Sequence, residues 1–498
     1  MRKAAALIIV FILMFSTALG ESGQKAPDYI MEGYDGNVTG RNWDTNLFFA
    51  RMQEKTGVSF QFSQHTDEER WAERKKELID GENLPDVLFK AGLSTAEIRA
   101  MYEAGRIIDL APYLETCAPD LWKMLEEHPE WKDSITLEDG AIPALPQINM
   151  LQNNDAMWIN SQWLRRVGME APTTAEELTE VLRAFREKDP NGSYSKDEVP
   201  LSFIGIWELR FLGHAFGIID NDYYVSVEDG KVVSHLTSER NREFLTWLHG
   251  LWEEELIDRQ GFITAETVRQ ITDEKARIPY GMFLSYSPLT VVPQAALDQY
   301  TLLEPLVYDG KRVYRDLLGD TIRGTFAVTS ACKDPEKLVA WVNVLYTEEG
   351  SRLAYYGLEG EDYQWTEDGM WEWTVPVETV AETVLPENTI SEGGNAPGLI
   401  DAEFQLKYYD EQTRNHIKAL DTLKKNSRTP YPQVMLTTED AARIAEIQRG
   451  LSDYAENTMA CFVTGDTALT DENWAAFCRT AEEKGLNEMI ALWQKYIR

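Results

Sequence analysis

The residues whose types and spacing point most directly to chemistry are Asp189-Pro-Asn191-Gly-Ser193-Tyr-Ser195-Lys-Asp197-Glu198. Oxygen-bearing side chains recur at every second position from Asp189 to Asp197, and Glu198 adds a further carboxylate. A hard cation such as Ca2+ takes about six to eight oxygen ligands, and a tight loop can wrap them around it. Three carboxylates gathered without a cation repel one another. A polar D-P-N-G turn with no ion is the other reading of the same residues. The loop is not an EF-hand sequence, because its glycine falls too early and no glutamate closes it.

Catalytic patterns are missing from the rest of the chain. There is no G-x-S-x-G, H-E-x-x-H or C-x-x-C, and the histidines are scattered. A glycoside hydrolase needs two opposed carboxylates, roughly 5–9.5 Å apart. With 83 acidic residues some such pair is inevitable, so abundance identifies none. The expectation is a binding protein, not an enzyme.

Composition narrows the partners. The chain carries 48 basic and 83 acidic residues, a net charge of −35. That field repels nucleic acid and anionic membrane faces, and it keeps an exported protein soluble. Four cysteines are too few for a disulfide framework, although Cys461 and Cys478 are near enough in sequence to pair. Arg2 and Lys3 precede the apolar run Ala4–Phe15, followed by small residues at Ser16, Ala18 and Gly20. This is the layout of a secretory signal peptide, with cleavage expected after Gly20. A retained anchor is the alternative, but Ala4–Leu19 makes only about 24 Å of helix against roughly 30 Å of hydrocarbon. No cysteine near the cut offers a site for lipidation, and no later segment is apolar enough to span a bilayer.

Alternating strand and helix patterns position these residues. Asn42–Glu54 reads as a helix, Gly57–Phe62 as a half-buried strand, Glu68–Ile79 as a charged helix and Leu84–Phe89 as a turn entering a buried strand. Thr174 and Glu177 form a capping box for the helix Ala175–Phe185, whose Leu178, Val181, Leu182 and Phe185 share a face. The metal loop follows that helix directly. Asp229-Gly230 turns a hairpin, Ile278–Leu284 and Gly324–Thr329 are strands, and Pro335 opens a helix. The last third is helical over Thr438–Met459, Glu472–Lys484 and Asn487–Tyr496, while Glu361–Pro397 reads as irregular loops and short strands. The pattern predicts an α/β fold with sheets covered on both faces.

Several blocks in order resemble one family. They are Leu84–Phe89, "GRIIDLAPYL" at Gly105–Leu114, "DGAIPALP" at Asp139–Pro146 and "MWINSQWLRRVGMEAPTTAEELTEVLRAF" at Met157–Phe185. "VTSACKDPEKLVAWVNVLYTEEG" at Val328–Gly350, "GLEGEDYQW" at Gly357–Trp365, "FVTGDTAL" at Phe462–Leu469 and "LWQKYIR" at Leu492–Arg498 complete the set. Together they resemble the extracellular solute-binding proteins of ABC importers, specifically the large oligosaccharide binders of the LplA type.

The resemblance implies a type II periplasmic-binding-protein fold, α/β in class, with two lobes and a ligand cleft between them. After a signal peptide at 1–20, the first lobe would hold 21–148 and 325–385, and the second 149–324 and 386–498. It implies an oligosaccharide ligand, permease subunits in the membrane as partners, no nucleic acid, and a monomer working outside the cytoplasm. It also implies a structural Ca2+ held by the side chains of Asp189, Asn191, Ser193, Asp197 and Glu198 and by the backbone oxygen of Ser195. Sugars present apolar faces edged by hydroxyls, so aromatic side chains beside polar ones are the candidate contacts. These are Trp207 with Glu208 and Arg210; Asn153, Asn154 and Asp155 at the lobe crossing; Ser285 and Tyr286; and Trp365, Trp371 and Trp373. Relatives commonly carry Arg-Lys-Asp where this chain has Asn160-Ser161-Gln162 before Trp163, which favours a neutral oligosaccharide over a uronate. A binder of peptides or other solutes, a sugar sensor for a kinase, and a secreted glycoside hydrolase are the competing readings.

Overall fold

The computed structural model describes residues 27–36, 41–150, 155–263, 266–316 and 321–497. The expected signal peptide, and Asn153 and Asn154, lie outside the described residues. Two sheets organise the chain. The first runs Gly398–Ile400, Leu145–Asn149, Thr321–Val328, Val87–Phe89, Tyr29–Tyr34 and Phe60–His65 in spatial order. Thr321–Val328 is antiparallel to both neighbours, and the other pairs are parallel. The second sheet runs Tyr300–Leu302, Ala156–Asn160, Tyr280–Ser285 and Val199–Ser202.

The central strand Val87–Phe89 is short and apolar because both its faces are covered. Val87 and Phe89 turn into one core, with Trp43, Phe48 and Trp341. Leu88 turns into the other, with Trp71, Ile98 and Met101. The antiparallel neighbour alternates in the same way, Phe326 and Val328 against Ala327. Helices begin where side chains satisfy their free amides. Asn46 accepts from the Phe48 N–H at 2.9 Å, which delays the first helix to Leu47–Thr56. Thr174 caps Ala175–Glu187 as expected, but the Glu177 carboxylate reaches one residue further back, to the Thr173 N–H at 2.7 Å. Asp229 and Gly230 both take positive φ, 48° and 75°, in the hairpin joining Ser226–Glu228 to Lys231–Val233.

Three sequence expectations need correction. Glu361–Pro397 contains the helix Val377–Asn388, which was obscured by its internal Pro386. Gly398–Ile400 belongs to the first sheet, beyond the expected 385/386 boundary; a Cβ on Gly398 would stand 2.7 Å from the Leu345 carbonyl oxygen. Cys461 and Cys478 are both free, and the Cys478 thiol faces the Thr237 carbonyl instead.

The chain crosses between the sheets after Asn149, after Asp316 and after Ile400. A fourth passage is a strap at 429–437. Met435 is buried in the first-lobe core, Arg99 donates to the carbonyls of Met435 (2.6 Å) and Leu436 (3.0 Å), and Arg323 donates to that of Val434 (2.8 Å). The crossings fix which edge of each sheet faces the other lobe. In the first sheet that edge carries Asp35, His65, Lys90 and Asn149; in the second it carries Asp155, Tyr286 and the turn after Ser202.

At the first-sheet edge Asp35 is buried and accepts from the Arg41 guanidinium (3.2 Å), the Trp43 indole (3.0 Å), Gln64 (3.1 Å) and the Lys90 ammonium. Burial lowers the Lys90 pKa to about 8 despite the adjoining carboxylate. Removing one member of a buried ion pair leaves an uncompensated charge and costs about 3–5 kcal/mol. Asp35→Ala should therefore lower stability by about that amount, read as a lower urea midpoint. A midpoint equal to that of the unmodified chain would show that the cluster holds nothing together.

Candidate functional site

The turn after Val199–Ser202 enters the short helix Gly205–Leu209. Gly205 has φ +69°, and a Cβ there would come within 2.7 Å of Trp207 Cδ1. The glycine thus lets the indole lie against the backbone while the ring stays 43% exposed. Glu208, the next residue, points inward. Its carboxylate accepts from Arg269 at 2.8 and 3.0 Å and from the Ile204 N–H at 2.7 Å. Burial pushes its pKa up to about 7, against the pull of Arg269.

Asp155 lies beside this pair. Its main-chain oxygen accepts from the Tyr314 hydroxyl at 2.6 Å, and the Tyr286 N–H bonds its carboxylate. Burial raises its pKa, while Arg315 and Arg269 pull it down. Tyr286 is 47% exposed on the same edge. Arg210 spreads over the Tyr224 ring at 4.1 Å and donates to the Asn221 carbonyl at 2.8 Å. The buried Ser285 hydroxyl is occupied by Ser287 and Thr290, so it shapes the turn that presents Tyr286. The edge therefore combines two exposed aromatic rings with a floor of paired charges. Such a surface can stack on an apolar face and hydrogen-bond to the groups around it.

The remaining tryptophans lie elsewhere. Tyr363–Trp365 and Trp371–Trp373 form a hairpin in a separate aromatic cluster with Phe404 and Tyr408, at the third crossing. Trp371 is not available as a platform. It stacks on Phe404 at 4.8 Å and on Tyr408 at 4.7 Å, and it is 3% exposed. Trp365 keeps an exposed face under the Lys407 ammonium, and Trp373 is half-buried against Tyr356. Sequence reading missed Arg269, Arg315 and Tyr314, because a lone arginine or tyrosine far along the chain carries no periodicity or spacing that marks it.

The loop at 189–198 turns tightly, with positive φ at Asp189, Gly192 and Tyr194. Ser193 N–H donates to Asp189 (2.9 Å) and Asn191 (2.7 Å), and Asn191 and the Ser193 hydroxyl donate to Asp197 at 2.9 and 2.6 Å. Ser193 also reaches the Ser195 carbonyl at 3.1 Å. Glu198 Oε1 is buried with no hydrogen-bond partner. Among the described residues no three His, Cys, Asp or Glu side chains gather as a metal cluster. A cation here would therefore depend on amide, hydroxyl and main-chain oxygens as well. The unpartnered Glu198 oxygen and the oxygen-rich ring fit a hard cation.

Comparison with known proteins extends these observations. No family model matches the chain. The fructooligosaccharide ABC transporter substrate-binding protein FusA of Streptococcus pneumoniae is 27% identical over 542 residues, covering 99% of this chain and 97% of FusA. FusA in complex with kestose superposes with a TM-score of 0.67 at 26% identity, over 94% of this chain and 97% of that one. A FusA EF-hand mutant in complex with fructo-nystose gives 0.66 at 25% identity, with the same coverage. An extracellular solute-binding protein of Bifidobacterium longum subsp. infantis gives 0.77 at 21% identity, again covering 94% and 97%. The fold is a two-lobed α/β architecture of the periplasmic-binding-protein type.

The paired floor makes stability depend on pH. Glu208 keeps its proton up to about 7 in the folded chain, against 4.5 for a free carboxyl, so between those values the native state binds more protons than the unfolded one. Its contribution is whole below the lower value and is lost as pH rises through the higher. Glu208→Gln, which retains an acceptor for Arg269, should flatten the fall in unfolding free energy between pH 5 and pH 8. Urea titrations at both pH values measure this, and an identical fall in both proteins would refute it.

Proposed function

We propose that this chain is the extracytoplasmic solute-binding component of an ABC importer, which captures an oligosaccharide between its lobes and delivers it to a membrane permease. The observation that carries the proposal is the similarity to FusA along nearly the whole of both chains. The second-lobe edge supports it chemically, with Trp207 and Tyr286 offering ring faces beside Asp155 and the Glu208–Arg269 pair. Closure excludes water from those faces while polar groups meet the sugar hydroxyls. The closed form is favoured by its extra affinity for ligand. Glu208 is held in place by Arg269 and the Ile204 amide, which fixes the edge beside Trp207.

The ligand is a neutral oligosaccharide. Four cations at the two edges already carry carboxylates, Arg269 with Glu208, Arg315 with Asp222, and Lys90 and Arg41 with Asp35, while Arg210 is met by the Asn221 carbonyl and the Tyr224 ring. An anionic sugar would have to break such a pair or add to its negative charge. The 189–198 loop holds a structural Ca2+ through Asp189, Asn191, Ser193, Asp197, Glu198 and the Ser195 carbonyl, supported by the buried Glu198 oxygen without a partner. The ion supplies positive charge at the entry to Val199–Ser202, the strand leading to Trp207.

Calorimetry against neutral oligosaccharides, kestose among them, and against an oligouronate tests the first reading. Trp207→Ala should weaken the best neutral ligand at least tenfold without lowering the unfolding temperature. Small-angle scattering should show a smaller radius with ligand bound. Failure of every neutral sugar to bind, or steady release of shortened sugars, would overturn it. For the ion, Asp189→Ala should lose calcium in metal analysis after chelation and resupply, and should unfold at lower temperature. Absence of calcium from the unmodified chain at millimolar supply would remove it from the account.

A further inference from the structure

A cavity of about 240 Å³ lies beside the strap at 429–437, with walls from both lobes. Arg323 and Thr95 stand on the first-lobe side, and Asn221, Asp222 and Tyr223 on the second. The cavity is on the cleft side of the strap. Thr321 pairs with Ile148 and Phe326 with Phe89, so the beginning of Thr321–Val328, where Arg323 sits, lies at the edge that carries Lys90 and Asn149. Asp222 reaches the opposing edge through Arg315, which donates to it at 3.3 Å and also pulls on the Asp155 carboxyl.

Arg323 is a part-buried cation without a counter-charge. Its guanidinium donates to the main-chain carbonyls of Val434 (2.8 Å) and Ser134 (3.5 Å), and among the described residues it meets no carboxylate. Burial lowers its pKa, while Tyr223, from the other wall, pulls the opposite way. Asp222 is the complementary half. Its carboxylate is 74% exposed and is held at Oδ1 alone among the described residues. The turn that presents it is fixed. The Asn221 side chain accepts from the Tyr223 (2.9 Å) and Val225 (3.1 Å) N–H groups, and Gln448 donates to the Asp222 main-chain oxygen at 2.8 Å. Asp316 also lines the cavity, so with two carboxylates to one guanidinium the space does not attract an external anion. Trp207 and Tyr286 stay exposed on the second-lobe edge, so the lobes stand apart where the sugar would lie.

Narrowing the cleft narrows this cavity, because its walls belong to the two lobes and lie on the cleft side. We propose that Arg323 and Asp222 pair across it when the lobes close, and that this pair holds the closed form without touching the sugar. A part-buried guanidinium gains more from a carboxylate than an exposed one, since less water and salt screen it. A contact made only in the closed form raises the affinity for the ligand that the closed form holds. The inference rests on the carbohydrate reading above and adds to it an affinity-setting contact outside the sugar site.

A double-mutant cycle in the full chain, read by calorimetry with kestose, tests the pair. Asp222→Asn keeps an acceptor for Arg315, and Arg323→Gln keeps a donor for the Val434 carbonyl. Each should weaken kestose about three- to fivefold, the range of a partly screened ion pair. The double variant should bind no more weakly than either single one, and Arg323→Lys should stay close to the unmodified protein. Unfolding temperatures without ligand should be alike across the set, because the pair is absent from the open form. Losses that multiply in the double variant would overturn the pair. So would a loss with Arg323→Gln and none with Asp222→Asn, which would place Arg323 on the sugar itself. If Arg323→Gln fails to fold, Asp222→Lys decides: it should bind kestose more weakly than Asp222→Asn, and binding as tight ends the proposal. If kestose does not bind and another neutral oligosaccharide does, that sugar becomes the probe. If none binds the unmodified protein, the carbohydrate reading fails and the pair with it.

Discussion

One buried carboxylate fixes the inner edge of the first lobe. Asp35 follows the strand Tyr29–Tyr34, next to the ends of both parallel neighbours, and four side chains donate to it. One of these, Lys90, takes φ +52° and also donates to the Glu392 carbonyl, so the carboxylate reaches the loop that returns to the sheet as Gly398–Ile400. Two glycines make the approach possible. A Cβ on Gly36 would stand 2.7 Å from Gly393 Cα, and one on Gly393 would stand 2.5 Å from the Asp35 oxygen. Three strand ends and the approach to a lobe crossing are therefore set by a single charge, whose burial is tolerable because so many donors surround it.

The second lobe repeats this logic with opposite ownership. There the buried cation Arg269 comes from a distant segment, and the carboxylate Glu208 sits next to the exposed Trp207. The pair is costly to bury, and it holds the short helix that carries the indole in one orientation. Both edges thus present side chains whose charges are already answered within the protein. The net charge of −35 belongs to the chain as a whole, while at these edges Asp35 and Glu208 each face a buried cation.

How much of this was legible in the sequence follows from the range of the interactions. Local signals are legible: Thr174 caps its helix, Asp229-Gly230 turns its hairpin, and the strand around Val87–Phe89 is buried on both sides. Asp155, Trp207, Glu208 and Tyr286 do come together on one edge, because each follows or precedes a strand of the second sheet. Trp371 looked equivalent to Trp207 in sequence. What separates them is Phe404 and Tyr408, more than thirty residues away, which cover its faces. Asp35 with Lys90, and Glu208 with Arg269, were invisible for the same reason: an ion pair spanning 55 or 61 positions leaves no periodic trace. The helix Val377–Asn388 is hidden by Pro386, which removes a donor inside it and reads as a helix breaker.

The strap at 429–437 bears on how the molecule comes into being. The first lobe looks like an amino-terminal unit, yet its core includes Met435, and Arg99 is satisfied by carbonyls 336 and 337 positions later. During synthesis Leu88, Ile98 and Ala327 can meet one another first, and Met435 joins them only when most of the 498 residues have been made. Contacts of such separation are slow to form, because a long loop must close before they repay its entropy. The Met435 side of that core is therefore the last part of the first lobe to close.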